Sequence, residues 1–113
     1  MSHASVAQWP PAAAAPLFAA LGDETRLALV ARLGDGASLS ITELATGSRV
    51  TRQAITKHLN VLAEARLVRD QRRGREHLWK LEIERVDDAR HYLDQIAQHW
   101  EDALGRLKLF LEE

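Results

Sequence analysis

The stretch TRQAITKHLNVL, residues 51–62, concentrates hydrogen-bond donors at helical spacing. On a helix the polar side chains fall on one side and the aliphatic ones on the other. The polar residues are Arg52, Gln53, Thr56, Lys57 and Asn60. Gln and Asn can bond adenine edges in pairs, whereas Arg and Lys bond guanine or phosphate. Solvated helix faces usually mix Glu with Lys, and this one has no carboxylate before Glu64. The composition favours a surface that faces nucleic acid over an ordinary solvated face.

A second group of cations follows in LVRDQRRGREHLWKL, residues 67–81, which predicts two strands around Gly74. Three arginines crowd the tip of this hairpin: Arg72, Arg73 and Arg75. Alternation in the second strand predicts that His77, Trp79 and Leu81 point inward. Like charges at a tip repel one another unless an anion meets them, so the hairpin is expected to contact phosphates. The alternative is a solubilising surface loop.

The charges of the chain are unevenly distributed, although the net charge is only -1. Residues 1–48 carry a net -2, residues 49–81 a net +6 and residues 82–113 a net -5. This asymmetry indicates one basic face rather than a uniformly basic protein. No apolar run is long enough to cross a bilayer, and the N-terminus has no basic leader, so a cytoplasmic protein with no membrane partner is expected.

The composition also limits the chemistry that this chain can perform. With 113 residues, 46% of them hydrophobic, one small domain is expected. The sequence has no cysteine, which excludes disulfides, thiolate metal sites and cysteine nucleophiles. No nucleophile stands beside a base and no Gly-rich phosphate loop occurs, so the sequence does not indicate an enzyme.

The elements that position these groups are mostly helices. Residues 1–15 are expected to form a flexible N-terminal segment and residues 16–113 a single domain, whose first helix starts at Pro16. Asp23 is a predicted N-cap for the next helix, and SITE, with Ser40 and Glu43, predicts a capping box. The short helix that it opens and the helix about 51–65 have the dimensions of a helix-turn-helix. A wing at about 67–81 makes this a winged helix-turn-helix.

The last predicted helix, about 84–111, has apolar residues in a 3-4 alternation from Val86 to Leu111. This stripe is longer than one small core requires, so part of it is expected to pack on a second copy of the chain, with help from the first helix. The residues expected at this dimer interface are Leu17, Phe18, Leu21, Leu93, Ile96, Trp100, Leu104 and Leu107.

Four blocks of the sequence, LFAALGDETRLALVARL, ITELA, TRQAITKHLNVLAEARLV and RRGREHLWKL, resemble in order those of ArsR-type winged-helix repressors. The resemblance implies a mainly α fold with a small β-hairpin, in the order α-α-α-α-β-β-α. It implies a homodimer that binds an operator in double-stranded DNA and releases it when an effector arrives. Carried over by position, DNA would be contacted by Thr51, Arg52, Gln53, Thr56, Lys57, Arg72, Arg73 and Arg75. His58 matches a family histidine, for which packing or a phosphate contact is expected rather than base reading.

The chain departs from the metal-sensing members of that family, whose cysteine motif would fall in ITELATG. The last helix offers four other possible metal ligands, Asp87, His91, His99 and Asp102. Their spacing does not reproduce the Asp-x-His pattern of some relatives. No metal or cofactor is therefore expected, and an effector, if there is one, could be a small molecule. The remaining alternative is a winged helix that binds another protein without reading DNA.

Overall fold

The computed structural model describes residues 9–112. Its elements in chain order are α1 Pro11–Leu21, α2 Glu24–Leu33, β1 Leu39–Ser40, α3 Ile41–Ala45, α4 Arg52–Glu64, β2 Val68–Arg73, β3 Glu76–Leu81 and α5 Ile83–Glu112. The expected winged helix-turn-helix is confirmed, with α3 and α4 as the helix pair and β2 and β3 as the wing. The structure adds one short strand, β1, that was not predicted.

Helix α1 begins at Pro11, five residues before the predicted start at Pro16. Ala12 to Ala15 are helical because alanine has the highest intrinsic helix propensity, and Ala14 is buried against the rest of the domain. Pro11 occupies the first turn, where a missing N–H costs nothing. The expected flexible segment 1–15 therefore overlaps this helix, and its residues 1–8 lie outside the described part of the chain.

Side-chain caps begin α2 and α3 as predicted. The Asp23 carboxylate accepts the backbone N–H of Arg26 at 3.0 Å. At α3, Ser40 Oγ accepts the N–H of Glu43 at 3.1 Å, and the Glu43 carboxylate accepts the N–H of Ser40 at 3.1 Å. This reciprocal pair satisfies two N–H groups that have no partner within the helix.

The sheet is antiparallel, and β3 is its central strand between β1 and β2. The predicted inward direction is confirmed for Trp79 and Leu81 and wrong for His77, which is exposed, whereas Leu78 is buried. Strand β1 pairs only with Leu78 and Trp79, in the middle of β3, so the part of β3 toward the tip, with His77, has no strand neighbour on that side.

A single hydrophobic cluster joins the helix-turn-helix to the wing. The prediction that Ile55, Leu59 and Leu62 form the inner face of α4 is confirmed, since each is at most 1% exposed. They pack with residues from the other elements, among them Leu17, Leu33, Leu44, Leu67, Trp79 and Leu81. Burial of these side chains is the main stabilising contribution to the fold, and it determines which side of α4 faces outward.

Helix α5 joins this core only near its start, through Val86 and the buried Ala89. Tyr92 lies between the rings of Phe18 at 5.7 Å and Trp9 at 6.4 Å, and this contact holds α1 against α5. The remaining turns extend away from this core, and the molecule with α5 included measures 68 × 31 × 25 Å. Among the described residues, no helix is both long and apolar enough to cross a membrane.

Candidate nucleic-acid interface

The first turn of α4 presents an environment that suits a phosphate. Thr51 is the N-cap, and its Oγ accepts the N–H of Ala54 at 3.1 Å. No acidic side chain occurs in this turn, so the partial positive charge of the helix N-terminus is not neutralised by the helix itself. Exposed N–H groups and a positive dipole end are general features of anion binding at helix N-termini.

The polar side of α4 is open to solvent along its length. Arg52, Gln53, Lys57 and Asn60 are exposed, opposite the buried aliphatic face. Thr56 is only half-buried, and its hydroxyl donates to the carbonyl of Arg52 at 2.9 Å. Thr56 therefore has its proton engaged within the helix and can offer a DNA base only acceptor capacity or its methyl group.

The wing carries its arginines where they were expected. Arg72 and Arg73 end β2 and Arg75 follows in the turn, while Gly74 at the tip has φ 66°, a conformation that favours glycine. All three arginines are exposed and, among residues 9–112, none has an ion pair within 4 Å. Glu76 lies opposite Arg73 in the strand register. The tip therefore contains one carboxylate, whereas the sequence-based prediction treated the arginines as a cluster without counter-charges.

An unforeseen polar contact lies farther down the wing. Asp70 of β2 and His77 of β3 share a short hydrogen bond, and the imidazole stacks on Trp79 with 5.5 Å between centroids. The hydrogen bond from His77 lowers the pKa of the Asp70 carboxyl below its ordinary value. Asp70 is therefore an anion at neutral pH, and it compensates part of the positive charge at the base of the hairpin.

Arg49 is a candidate DNA contact that the sequence reasoning missed. It is exposed in the turn between α3 and α4, two residues before the Thr51 cap. Only its contribution to the +6 charge of residues 49–81 could have drawn attention to it. Its position at the N-terminal end of α4 places a further cation beside the exposed N–H groups.

The expected dimer residues fall into two groups. The prediction that Leu17 lies at the interface is wrong, because its side chain is 0% exposed and belongs to the core of its own chain. Phe18 and Leu21, on the same helix, are half-buried. The α5 residues form an exposed apolar row, called here the α5 stripe: Leu93, Ile96, Trp100, Leu104 and Leu107.

The four possible metal ligands do not converge. Within residues 9–112 no three His, Asp or Glu side chains come together in a way that could hold a metal ion. His91 lies 3.6 Å from Asp87, while Asp102 accepts a hydrogen bond from Gln98 at 3.0 Å. His99 lines a cavity of about 220 Å³ with Trp9, Tyr92 and Trp100.

Comparison with known proteins agrees with this geometry. A family model described as a helix-turn-helix domain matches residues 21–71. The HTH-type transcriptional regulator Rv2034 of Mycobacterium tuberculosis is 40% identical over 85 residues, which cover 75% of this chain and 76% of that protein. An ArsR-like transcriptional regulator from Rhodococcus sp. RHA1 superposes with a TM-score of 0.78 at 37% identity, covering 88% of this chain and 92% of the other. An ArsR family transcriptional regulator, RHA00566, gives 0.72 at 27% identity, covering 82% and 95%.

Proposed function

Because the chain belongs to the ArsR family of winged helix-turn-helix, DNA-binding transcriptional regulators, we propose that it is a homodimeric repressor acting on a palindromic operator. The observation that supports this most is the exposed, carboxylate-free side of α4, which begins at an uncompensated helix N-terminus. An ordinary surface helix of this length would be expected to carry acidic residues in that first turn. Since its binding partner is DNA, we place the protein in the cytoplasm.

We assign base reading to Gln53 and Lys57, near the front of α4, with Asn60 one turn farther along. A glutamine can bond adenine through N6 and N7, and a lysine can bond guanine through O6 and N7. Thr51 and Arg52 lie beside the exposed N–H groups and would contact phosphates, together with Arg49. The wing arginines, Arg72, Arg73 and Arg75, would bind the adjacent backbone or the minor groove.

The α5 stripe would form the dimer interface. Trp100 is 64% exposed and Leu104 is 59% exposed, and a contiguous row of large apolar side chains on one helix indicates a protein contact. Phe18 and Leu21, half-buried at the edge of α1, would extend the same surface. A two-fold arrangement makes each stripe complementary to its own copy.

This symmetry determines the form of the operator. Two copies of α4 would enter successive major grooves about 34 Å apart, so the half-sites should be inverted repeats with centres about 10 bp apart. One helix and one wing make few contacts, so a single protomer would bind weakly. An effector, if the protein responds to one, would be a small molecule that alters the spacing of the two α4 helices.

The test is selection of bound sequences from a pool of random duplexes, followed by titration of the selected site. An inverted repeat should emerge, and Gln53→Ala should relax specificity by about 1 to 3 kcal/mol at one position in each half-site. Gln98→Ala is the matched control, since it removes an exposed glutamine from α5. Recovery of no preferred sequence would contradict sequence-specific reading.

The alternative, a protein-binding winged helix, is distinguished by salt. Binding to DNA releases counterions, so the affinity should fall steeply between about 50 and 200 mM salt. An apolar protein interface would change little over that range.

A further inference from the structure

Arg26 of α2 joins three helices through its guanidinium group. Its Nε donates to the carbonyl of Ala20 at 2.5 Å and its Nη2 to the carbonyl of Ala19 at 3.3 Å, both in α1. Its Nη1 lies 3.2 Å from Nδ1 of His58 in α4. The last turn of α1, the start of α2 and the middle of α4 are thus connected through one side chain.

The chemistry of the guanidinium determines the state of the histidine. Arginine has only donors and stays charged, so Nδ1 of His58 must accept this hydrogen bond. The imidazole proton then resides on Nε2. A doubly protonated ring would place an N–H against Nη1 and a second positive charge beside the first.

The charged groups around this contact are few. Asp23 Oδ2, which caps α2, lies 3.8 Å from the same Nδ1, and its pKa is lowered chiefly by the backbone N–H of Arg26. Glu64 of α4 lines the same cavity as Arg26, and α1 contributes only apolar side chains there. The guanidinium of Arg26 is therefore held by two carbonyls and by Nδ1 of His58, and the Asp23 carboxylate lies 3.8 Å from that nitrogen.

We propose that Arg26 and His58 are positioning residues that set the orientation of α4 relative to the end of α1, and through it relative to the α1 residues Phe18 and Leu21 of the dimer surface. This rests on the proposed function, since the orientation matters only if two copies of α4 must enter successive grooves. Neither side chain touches DNA. They act by keeping the angle of α4 the same in both protomers.

The test compares operator affinity among variants that differ in one acceptor. In His58→Asn, the side-chain oxygen can occupy the place of Nδ1 and accept from Arg26, whereas the longer His58→Gln places its amide near the position of Nε2. We expect His58→Asn to bind the operator within about threefold of the natural protein, and His58→Gln and His58→Leu to lose about tenfold, as for a lost charge-assisted hydrogen bond. Arg26→Lys should lose a similar factor, because an ammonium cannot meet three acceptors in the planar fork.

Salt dependence separates positioning from direct contact. If either residue touched a phosphate, its removal would reduce the salt slope by about 0.9 per contact, and that result would overturn the proposal. An unchanged slope with reduced affinity supports it. Equal affinity for His58→Asn, His58→Gln and His58→Leu, whether all high or all low, would also overturn it.

A double-mutant cycle completes the test. Arg26→Gln combined with His58→Leu should cost no more affinity than Arg26→Gln alone, since the arginine change already removes the bond to His58 together with the two bonds to α1. Additive losses would count against the link. If the unaltered protein binds no DNA at all, the proposed function fails first; if it binds and Arg26→Gln binds equally well, only this inference fails.

Discussion

Replacement of Arg72, Arg73 and Arg75 by alanine offers a quantitative test of the wing. The three side chains are exposed, and none has an ion pair among the described residues. Each is therefore free to meet a phosphate without first losing an intramolecular partner. The substitutions leave the register of β2 and β3 unchanged, because that register is determined by backbone bonds and by the buried Trp79 and Leu81.

The expected magnitude follows from the number of charges. Each phosphate contact contributes about 0.9 to the slope of log affinity against log salt, and a dimer presents two wings. With Glu76 opposite Arg73, we count two to three effective contacts per wing, so the slope should fall by about 4 to 5. Over a fourfold rise in salt, from about 50 to 200 mM, each contact corresponds to about 3.5-fold in affinity.

The assay is fluorescence anisotropy with a labelled operator and with a random duplex of equal length. The variant should weaken binding to both by similar factors, because phosphate contacts do not distinguish sequences. Replacement of Arg90, Arg106 and Lys108 by alanine removes the same charge from α5 and is the control. Equal slopes for the wing variant and the natural protein, or equal losses in the control, would refute the reasoning.

Other predictions concern the dimer, pH and metals. Leu93→Glu with Leu107→Glu should give a folded monomer by sedimentation that has lost tight operator binding; a monomer with full affinity would refute the dimer. The contacts that lower the pKa of Asp23, chiefly the backbone N–H of Arg26, stabilise the fold at pH values above 3.8, its ordinary pKa. This stabilisation is lost as pH falls through the lowered pKa. Asp23→Asn should therefore flatten the decrease of the urea midpoint as pH falls below about 4. Arsenite should not release the protein from its operator, since no thiolate exists, and zinc should do so only weakly. Release by arsenite, or tight zinc binding that is lost with His91→Ala and His99→Ala, would contradict this.

The parts of the fold that the sequence predicted are those with local causes. The capping box of Ser40 and Glu43 and the cap at Asp23 depend on residues three positions apart. The inner face of α4 follows from helical periodicity alone, as does the approximate extent of α5. The resemblance to a known family then placed these elements in order.

The features that the sequence did not predict depend on residues far apart in the chain. Strand β1 has only two residues, too few for any periodicity, and it exists because β3 offers it a free edge. Leu17 was expected at the dimer interface because it lies on the same helix as Phe18, and only packing showed that it faces the core. The contact of Arg26 with His58 spans 32 positions, and no local pattern pairs these two residues.

The turns of α5 beyond Leu93 leave their apolar side chains uncovered within one chain. In the proposed dimer, folding and association become a single mass-action equilibrium, so the melting temperature should rise with protein concentration. The concentration of the protein in the cell would then determine how much of its operator is occupied. Below a threshold copy number the regulator would dissociate and leave its operator, and continued synthesis would restore it without any effector.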